Sequence, residues 1–463
     1  MSATRKTRRV AVIGGGWAGC AAAVELQRRG CDVTLYEAAR TLGGRARVVQ
    51  ARGRVLDNGQ HILLGAYRET LGMMRRVGLD PDQALLRLPL QVRYPPGSGS
   101  GGEPLMDFEA PRLPAPLHVL AALLRATGLE RADKLALARF TTSARWMRWD
   151  LHVDCTVHEL LERFDQTQRL YRLLWRPLCM AALNTAPEHA SAKVFLAVLR
   201  DSLGARRSAS DMLLPRVLLD ALFPDAARRH LEHGGARVLA GSRVEAIAPE
   251  DGGWRLSVGG ASSDYDAVVL ASAPWQAAAL LRPLPGLEHV TGQLDALAYE
   301  PICTVYLQYA PGTRLPLPFC ALLDDPDADL WGQFAFDRGQ LDGGRADSGQ
   351  DGLLAVVVSS AGRAIELDQD LLAAAIARQL AGAFAQPALA RPLWTQVISE
   401  KRATFACTPG LDRPGNATGL SGLALAGDYT ACDYPATLES SVRSGLAAAA
   451  LAAAVPGKRA RAR

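Results

Sequence analysis

Near the start of the chain, Gly14-Gly15-Gly16-Trp17-Ala18-Gly19 places Gly14, Gly16 and Gly19 at GxGxxG spacing. The chemistry this spacing supports is anion binding. The first glycine permits a tight turn, the second lets the backbone approach a pyrophosphate, and the third lets a helix pack closely on its strand. Glu37, followed by Ala38, stands where a carboxylate accepts bonds from a ribose hydroxyl and repels a 2′-phosphate. Thr41-Leu42-Gly43-Gly44-Arg45-Ala46 then offers a second glycine pair and a cation suited to a diphosphate, although Gly43-Gly44 alone also reads as an ordinary turn. At the far end, Ala424-Leu425-Ala426 leads into Gly427-Asp428, whose carboxylate can hold a ribityl hydroxyl. Nicotinamide and flavin dinucleotides share the first motif. The distant Gly-Asp favours FAD.

The elements around these residues fit the assignment. Residues 9–13 read as a buried strand, 18–29 as a helix ended by Gly30, and 32–36 as a second strand, about the size of one βαβ unit. Residues 93–116 are rich in Gly, Pro and Ser and read as a linker with short extended pieces. Helical patterns dominate 117–223, with interruptions near Pro177, Pro187 and Pro215. Three β-type runs follow at 237–239, 254–258 and 267–270, then strands at 302–309, 331–336 and 353–359 and a helix at 367–384. A buried strand at 423–426 and a helix at 439–454 complete the chain. The N-terminus of that helix would face the flavin's electron-rich pyrimidine end.

Composition bounds the answer. At 463 residues and 49% hydrophobic, the chain should be folded throughout, as two interleaved domains. Much of its formal charge of +5 sits in Arg5, Lys6, Arg8 and Arg9 and in Lys458, Arg459, Arg461 and Arg463. These tails read as solvating ends, with attraction to an anionic membrane surface as the alternative. No aromatic residues interleave with them, which argues against nucleic acid. The eight cysteines form no CxxC pair, so no metal and no disulfide framework is expected, in keeping with a reducing compartment. No signal peptide is evident, and the apolar run 446–455 is shorter than the roughly 20 residues a bilayer requires. The expected location is the cytoplasm, with peripheral contact at the inner face of the membrane left open.

The glycine fingerprint, Glu37, Leu42-Gly43-Gly44-Arg45 and Gly427-Asp428 together resemble the FAD-dependent amine oxidase and phytoene desaturase superfamily. Three further stretches are similar to one branch of it, the hydroxysqualene dehydroxylases of hopanoid-producing bacteria. They are Leu56-Asp57-Asn58-Gly59-Gln60-His61-Ile62-Leu63-Leu64-Gly65-Ala66-Tyr67, Trp175-Arg176-Pro177-Leu178-Cys179-Met180-Ala181-Ala182-Leu183-Asn184-Thr185, and Tyr434-Pro435-Ala436-Thr437-Leu438-Glu439-Ser440-Ser441-Val442-Arg443-Ser444-Gly445. The resemblance implies an α/β fold: a Rossmann-like FAD domain from residues 1–92, 226–275 and 400–463, interleaved with an α+β substrate domain of mixed sheet and helices from 93–225 and 276–399. It implies that Val244 offers its backbone to the adenine, and that Gly59, Gln60, His61, Ala436, Thr437 and Leu438 join the non-covalent FAD site. The implied reaction is hydroxysqualene plus reduced FAD giving squalene, water and oxidised FAD. The partner is then a C30 isoprenoid, and an external electron donor of no recognisable signature must reduce the flavin.

Loss of an allylic hydroxyl needs an acid, and the allylic cation it leaves needs a dry site. His61 is the first candidate acid, because histidine titrates near working pH; binding the backbone or the flavin ring is its other open role. Asp57 and Tyr434 are further candidates. Asn58 and Asn184 could equally be structural hydrogen-bond groups, and Cys179 and Cys432 show no basic partner that would make them nucleophiles. The apolar, basically punctuated stretches 117–124 and 134–140 are either substrate-domain core or a monotopic membrane contact. Cofactor motifs do not distinguish the dehydroxylase from a carotenoid- or squalene-type desaturase, because both bind the same flavin. An amine oxidase would show a lysine or aromatic cage, and a flavin-binding scaffold would do no chemistry.

Overall fold

A computed structural model describes residues 7–96, 98, 104–342 and 349–455, so Arg5, Lys6, Lys458, Arg459, Arg461 and Arg463 lie outside the described residues. The opening run Arg-Val-Ala-Val-Ile is apolar at consecutive positions, as suits a strand buried on both faces, and Arg9–Ile13 is that strand. It sits at the centre of a five-stranded parallel sheet in the order Arg237–Ala240, Asp32–Glu37, Arg9–Ile13, Ala267–Leu270, Leu423–Leu425. Three separate parts of the chain therefore supply one sheet. Because all five strands run the same way, Gly14, Glu37, Ala271 and Gly427 emerge along one edge, the edge at which such sheets bind ligands.

The helix Trp17–Arg28 covers this sheet with an alanine-rich face, Ala18, Ala21 and Ala22 being buried. The last helix, Leu438–Ala454, crosses it at very short range: a Cβ on Gly445 would lie 2.2 Å from the Ala18 carbonyl oxygen. Small residues on both helices allow that approach, and the crossing ties the C-terminus to the start of the chain.

A second, antiparallel sheet runs Phe319–Ala321, Phe334–Asp337, Leu353–Val358, Tyr299–Gln308, Trp394–Phe405. Helix Gln369–Ala383 packs on one face of it through Leu372, Ile376 and Leu380. The opposite face presents Phe319, Phe334, Phe336 and Val357 to the helices at Leu117–Arg125, Arg131–Trp146, Arg176–Leu183 and Ala192–Leu203. The expected α/β fold with a second unit of sheet and helices is what the chain adopts, but the sheet of that second unit is antiparallel throughout and not mixed.

Several local expectations are corrected. Met212–Pro215, read as part of a helical stretch, is a strand between Leu63–Leu64 and Leu85–Leu88. A four-residue apolar run carries no periodicity that separates helix from strand. Ala246–Glu250 and Ala261–Tyr265 flank Gly253–Val258 as an antiparallel meander; the first carries Pro249, the second is mostly polar, and both are half-exposed, so only the middle strand showed in the sequence. Trp394–Phe405, twelve residues long, went unread because it is an edge strand carrying Glu400, Lys401 and Arg402, charges that keep edges from pairing with other chains. It runs unbroken through position 400, where a domain division was expected. In the 93–116 stretch, by contrast, the expected short extended piece is there: Asp107–Glu109 pairs with Gln91–Arg93 as a hairpin.

Candidate active site

The glycine turn behaves as its residues dictate. Gly14 has φ of +110°, and a Cβ there would lie 2.5 Å from the Ala271 carbonyl oxygen, so only glycine fits. A Cβ on Gly19 would lie 1.8 Å from the Gly14 carbonyl oxygen, which is the close helix-to-strand packing expected of the third glycine. Gly16 differs: a Cβ there meets nothing nearer than the Gly44 Cα at 3.8 Å, because its free side faces a cavity. The Gly15 carbonyl accepts the Gly43 N–H at 2.9 Å, laying the second glycine pair on the first.

The cavity measures about 1330 Å³, above the roughly 300–1,000 Å³ of a pocket for one drug-sized ligand. One end is lined by Gly14, Gly16, Trp17, Ala18, Glu37, Ala38, Gly43, Gly44, Arg45, Val244, Gly427 and Asp428. Gly59, Gln60, His61, Tyr434, Ala436, Thr437 and Leu438 line it further on. The far part is walled by Val92, Phe108, Leu123, Leu137, Leu174, Phe319, Phe334 and Phe336. Gly15, Gly19 and Asp57 do not line it. Gly15 contributes instead by donating its N–H to the Glu37 carboxylate at 2.6 Å.

The polar end fits a flavin dinucleotide. The Glu37 carboxylate also accepts the Ala39 N–H at 2.7 Å and lies at the strand end. The Val244 loop is pinned beside it, since Ser242 donates its N–H to the Glu37 carbonyl at 2.8 Å. Ser272 Oγ and the Tyr429 hydroxyl are buried without a hydrogen-bond partner on residues that line the cavity. Orphaned donors of this kind are what a polar ligand would satisfy. Neither was singled out from the sequence, although Ser272 follows a buried strand of the main sheet and Tyr429 follows Gly427-Asp428.

Arg45 and Asp428, expected at the diphosphate and the ribityl chain, reach each other. The guanidinium donates to the Asp428 carboxylate at 2.5 Å and to the Ala403 carbonyl at 2.6 Å. Asn58 hydrogen-bonds the Arg45 carbonyl and takes the Arg47 N–H at 3.3 Å, so it holds this loop. Asn184, in the left-handed region at φ of +49°, is saturated by Thr404, Glu300 and Ser360. Both asparagines are structural clamps. Gln60 lines the cavity with its amide held by Tyr306 at 2.8 Å and Arg338 at 3.1 Å.

The three candidate acids differ sharply. His61 lies on the cavity wall, where burial, helped by the Arg45 charge, pushes its imidazolium down to about 4. The expectation that it titrates near neutrality is thereby corrected: at pH 7 the ring is neutral. Tyr434 donates its hydroxyl to Asp201, and burial with that carboxylate pushes the phenol up to about 12. Asp201 stays ionised: burial opposes this, but hydrogen bonds from Arg200 and Tyr434 outweigh it. Asp57 accepts the Leu219 N–H at 2.9 Å and faces Arg338 at 3.8 Å, away from the cavity. Burial pushes the Cys407 thiol up to about 12, so it stays protonated. Among the described residues no cluster of His, Cys, Asp and Glu could hold a metal ion.

Asp57 carries a stability signature. Burial pushes its carboxyl up to about 6 from 3.8, with Arg338 and the Leu219 N–H only partly offsetting it. The folded chain then holds this proton more tightly than the unfolded one. The stabilising contribution is fully present below about pH 4 and is lost as pH rises through 6, an upper bound of about 3 kcal/mol. Urea unfolding of wild type and Asp57→Asn at pH 4 and pH 7 checks it. The wild type should lose stability relative to the variant over that interval; a pH-independent difference would mean a fully ionised pair with Arg338.

The family model described as flavin containing amine oxidoreductase matches residues 17–453. The hydroxysqualene dehydroxylase of Rhodopseudomonas palustris is 32% identical over 96% of this chain and 98% of its own. That of Sinorhizobium fredii is 30% identical, again over 96% and 98%. Among solved structures, cyclohexylamine oxidase from Brevibacterium oxydans matches with a TM-score of 0.65 at 20% identity, over 96% of this chain and 99% of that one. The last is a likeness of fold.

Proposed function

The chain belongs to the family of flavin-containing amine oxidoreductases and, within it, to the hydroxysqualene dehydroxylases, and from that premise we propose that it reduces hydroxysqualene to squalene. The observation that carries this reading is the continuity of one cavity from the dinucleotide-binding edge into an apolar arm. A molecule in that arm would lie against the cofactor, out of water. Bound non-covalently and in its reduced state, FAD supplies the hydride that such a reduction requires.

The chain's own residues do the rest. Phe319, Phe334, Phe336 and their neighbours bind the hydrocarbon by area alone, at about 0.8 kcal/mol per buried CH₂, and they exclude the water that would recapture an allylic cation. Tyr434 directs its proton to Asp201, so its oxygen is left as an acceptor that orients the substrate hydroxyl. It is a poor acid, because a phenolate would stand beside an ionised carboxylate. His61 is the better acid: an imidazolium with a pKa of about 4, once formed from solvent, gives its proton readily to the departing oxygen.

That assignment has a pH signature. The reactive form of His61 is the protonated one, so turnover should fall about tenfold per pH unit above about pH 5. A profile flat from pH 5 to 8 removes His61 as the donor. The function itself is tested by incubating the holoprotein anaerobically with hydroxysqualene and chemically reduced FAD and identifying the product. Squalene is expected. No squalene, together with bleaching of oxidised flavin by a saturated segment of a polyene, would make it a desaturase.

A further inference from the structure

The two helices that border the apolar arm carry an exposed hydrophobic face of their own. On Leu117–Arg125, the buried side is His118, Ala122 and Leu123, while Leu117, Leu120 and Leu124 share the opposite side at helical spacing and are 52%, 50% and 67% exposed. On Arg131–Trp146, Leu135 and Trp146 are 63% and 90% exposed, on a stripe with Arg139 and Thr142. A lone exposed leucine needs no explanation; a cluster of five large apolar side chains on adjacent helices does.

The same helices open the cavity. Leu120 and Thr142 are exposed and also line it, so the apolar arm reaches solvent between them. The charge around this face is one-sided. Residues 117–148 hold Arg125, Arg131, Lys134, Arg139, Arg145 and Arg148 against only Glu130 and Asp133. Both carboxylates are engaged by Arg169, and Asp133 also caps its helix. None of the six cations makes an ion pair among the described residues.

From this juxtaposition we infer that the face is a monotopic docking surface for an anionic phospholipid bilayer, with the leucines and Trp146 in the interface and the cations on the phosphates. It deepens the dehydroxylase reading and rests on it for its purpose: a water-insoluble C30 chain passes from the bilayer into the arm without crossing water. An interfacial helix with leucine and tryptophan on one side and arginine and lysine at its margin binds this way. Among the described residues no helix is long and apolar enough to cross a membrane.

The test is sedimentation of the FAD-loaded protein with vesicles of phosphatidylglycerol or of phosphatidylcholine, at low and high salt. Wild type should bind phosphatidylglycerol strongly and phosphatidylcholine weakly, with binding weakened by salt. Leu117→Glu with Leu124→Glu, and separately Arg125→Glu with Arg139→Glu, should each lower the apparent affinity by at least about tenfold. None of these side chains lines the cavity, so flavin content and turnover of detergent-dispersed substrate should be unchanged. Wild type that stays in the supernatant at low salt overturns the inference, as do variants that bind like wild type. So does a face that pairs two copies of the chain, seen as variants that change the oligomeric state while vesicle binding is absent. Failure of dehydroxylation in detergent, with vesicle binding intact, would instead count against the proposed reaction alone.

Discussion

Gly16→Val should fold and lose its flavin. Gly16 precedes the first helix at φ of −71° and ψ of −179°, an extended conformation that valine adopts without strain. Its Cβ would meet the Gly44 Cα at 3.8 Å, an ordinary contact, so the chain accommodates it. The two methyl groups, however, would project into the cavity where backbone and pyrophosphate must approach. The expected result is FAD occupancy of purified protein at least about tenfold below wild type, with the unfolding midpoint of the flavin-free form little changed. Gly14→Ala is the contrasting case. Its positive φ and the Ala271 carbonyl at 2.5 Å make it a folding defect, not a binding one. Retention of the pigment by Gly16→Val at full strength would mean that the cofactor does not lie across this turn.

Arg45→Ala should destabilise the fold itself. Asp428 is 6% exposed, and Arg45 is its partner at 2.5 Å, itself steadied by the Ala403 carbonyl. A buried ion pair contributes little against well-packed apolar residues, but removal of one partner strands the other charge, at about 3–5 kcal/mol. That is a large share of the roughly 5–15 kcal/mol by which a folded domain is stable. Urea unfolding of the flavin-free proteins measures it, and Arg45→Ala combined with Asp428→Ala should recover part of the loss. A loss under about 1 kcal/mol would show that the carboxylate finds water or another donor. The same substitution removes the charge that helps hold His61 neutral, so the falling limb of the pH–rate profile should move to higher pH, with burial keeping it below the ordinary histidine range.

Legible in the sequence are the features for which one backbone geometry excludes every residue but one, or for which a run of apolar residues must be buried. Gly14 and Gly19 are glycine because a carbonyl oxygen occupies the place of their Cβ. The strands Arg9–Ile13, Ala267–Leu270 and Leu423–Leu425 are continuous apolar runs because both faces of a parallel sheet are covered. Edge and surface strands were hidden. Trp394–Phe405 alternates with solvent too irregularly to be recognised, and its length comes from pairing with Tyr299–Gln308 in the tertiary fold. The site was legible as a set of motifs but not as a charge map. Nothing in Gly43-Gly44-Arg45 or Gly427-Asp428 states that the two would meet, and the histidine segment does not reveal that burial would take His61 out of the neutral range. Ser272 and Tyr429 were invisible for the same reason: an orphaned hydroxyl is defined by what fails to surround it.

Dehydroxylation by this chain requires that cofactor and substrate share one cavity and react there directly. An anaerobic single turnover addresses it: the flavin of the holoprotein is photoreduced, excess reductant is removed, and hydroxysqualene is added while the flavin absorbance is followed. The oxidised spectrum should return, with one squalene formed per flavin. A flavin that stays reduced in the presence of hydroxysqualene, or one that reoxidises without yielding squalene, would rule direct reaction out.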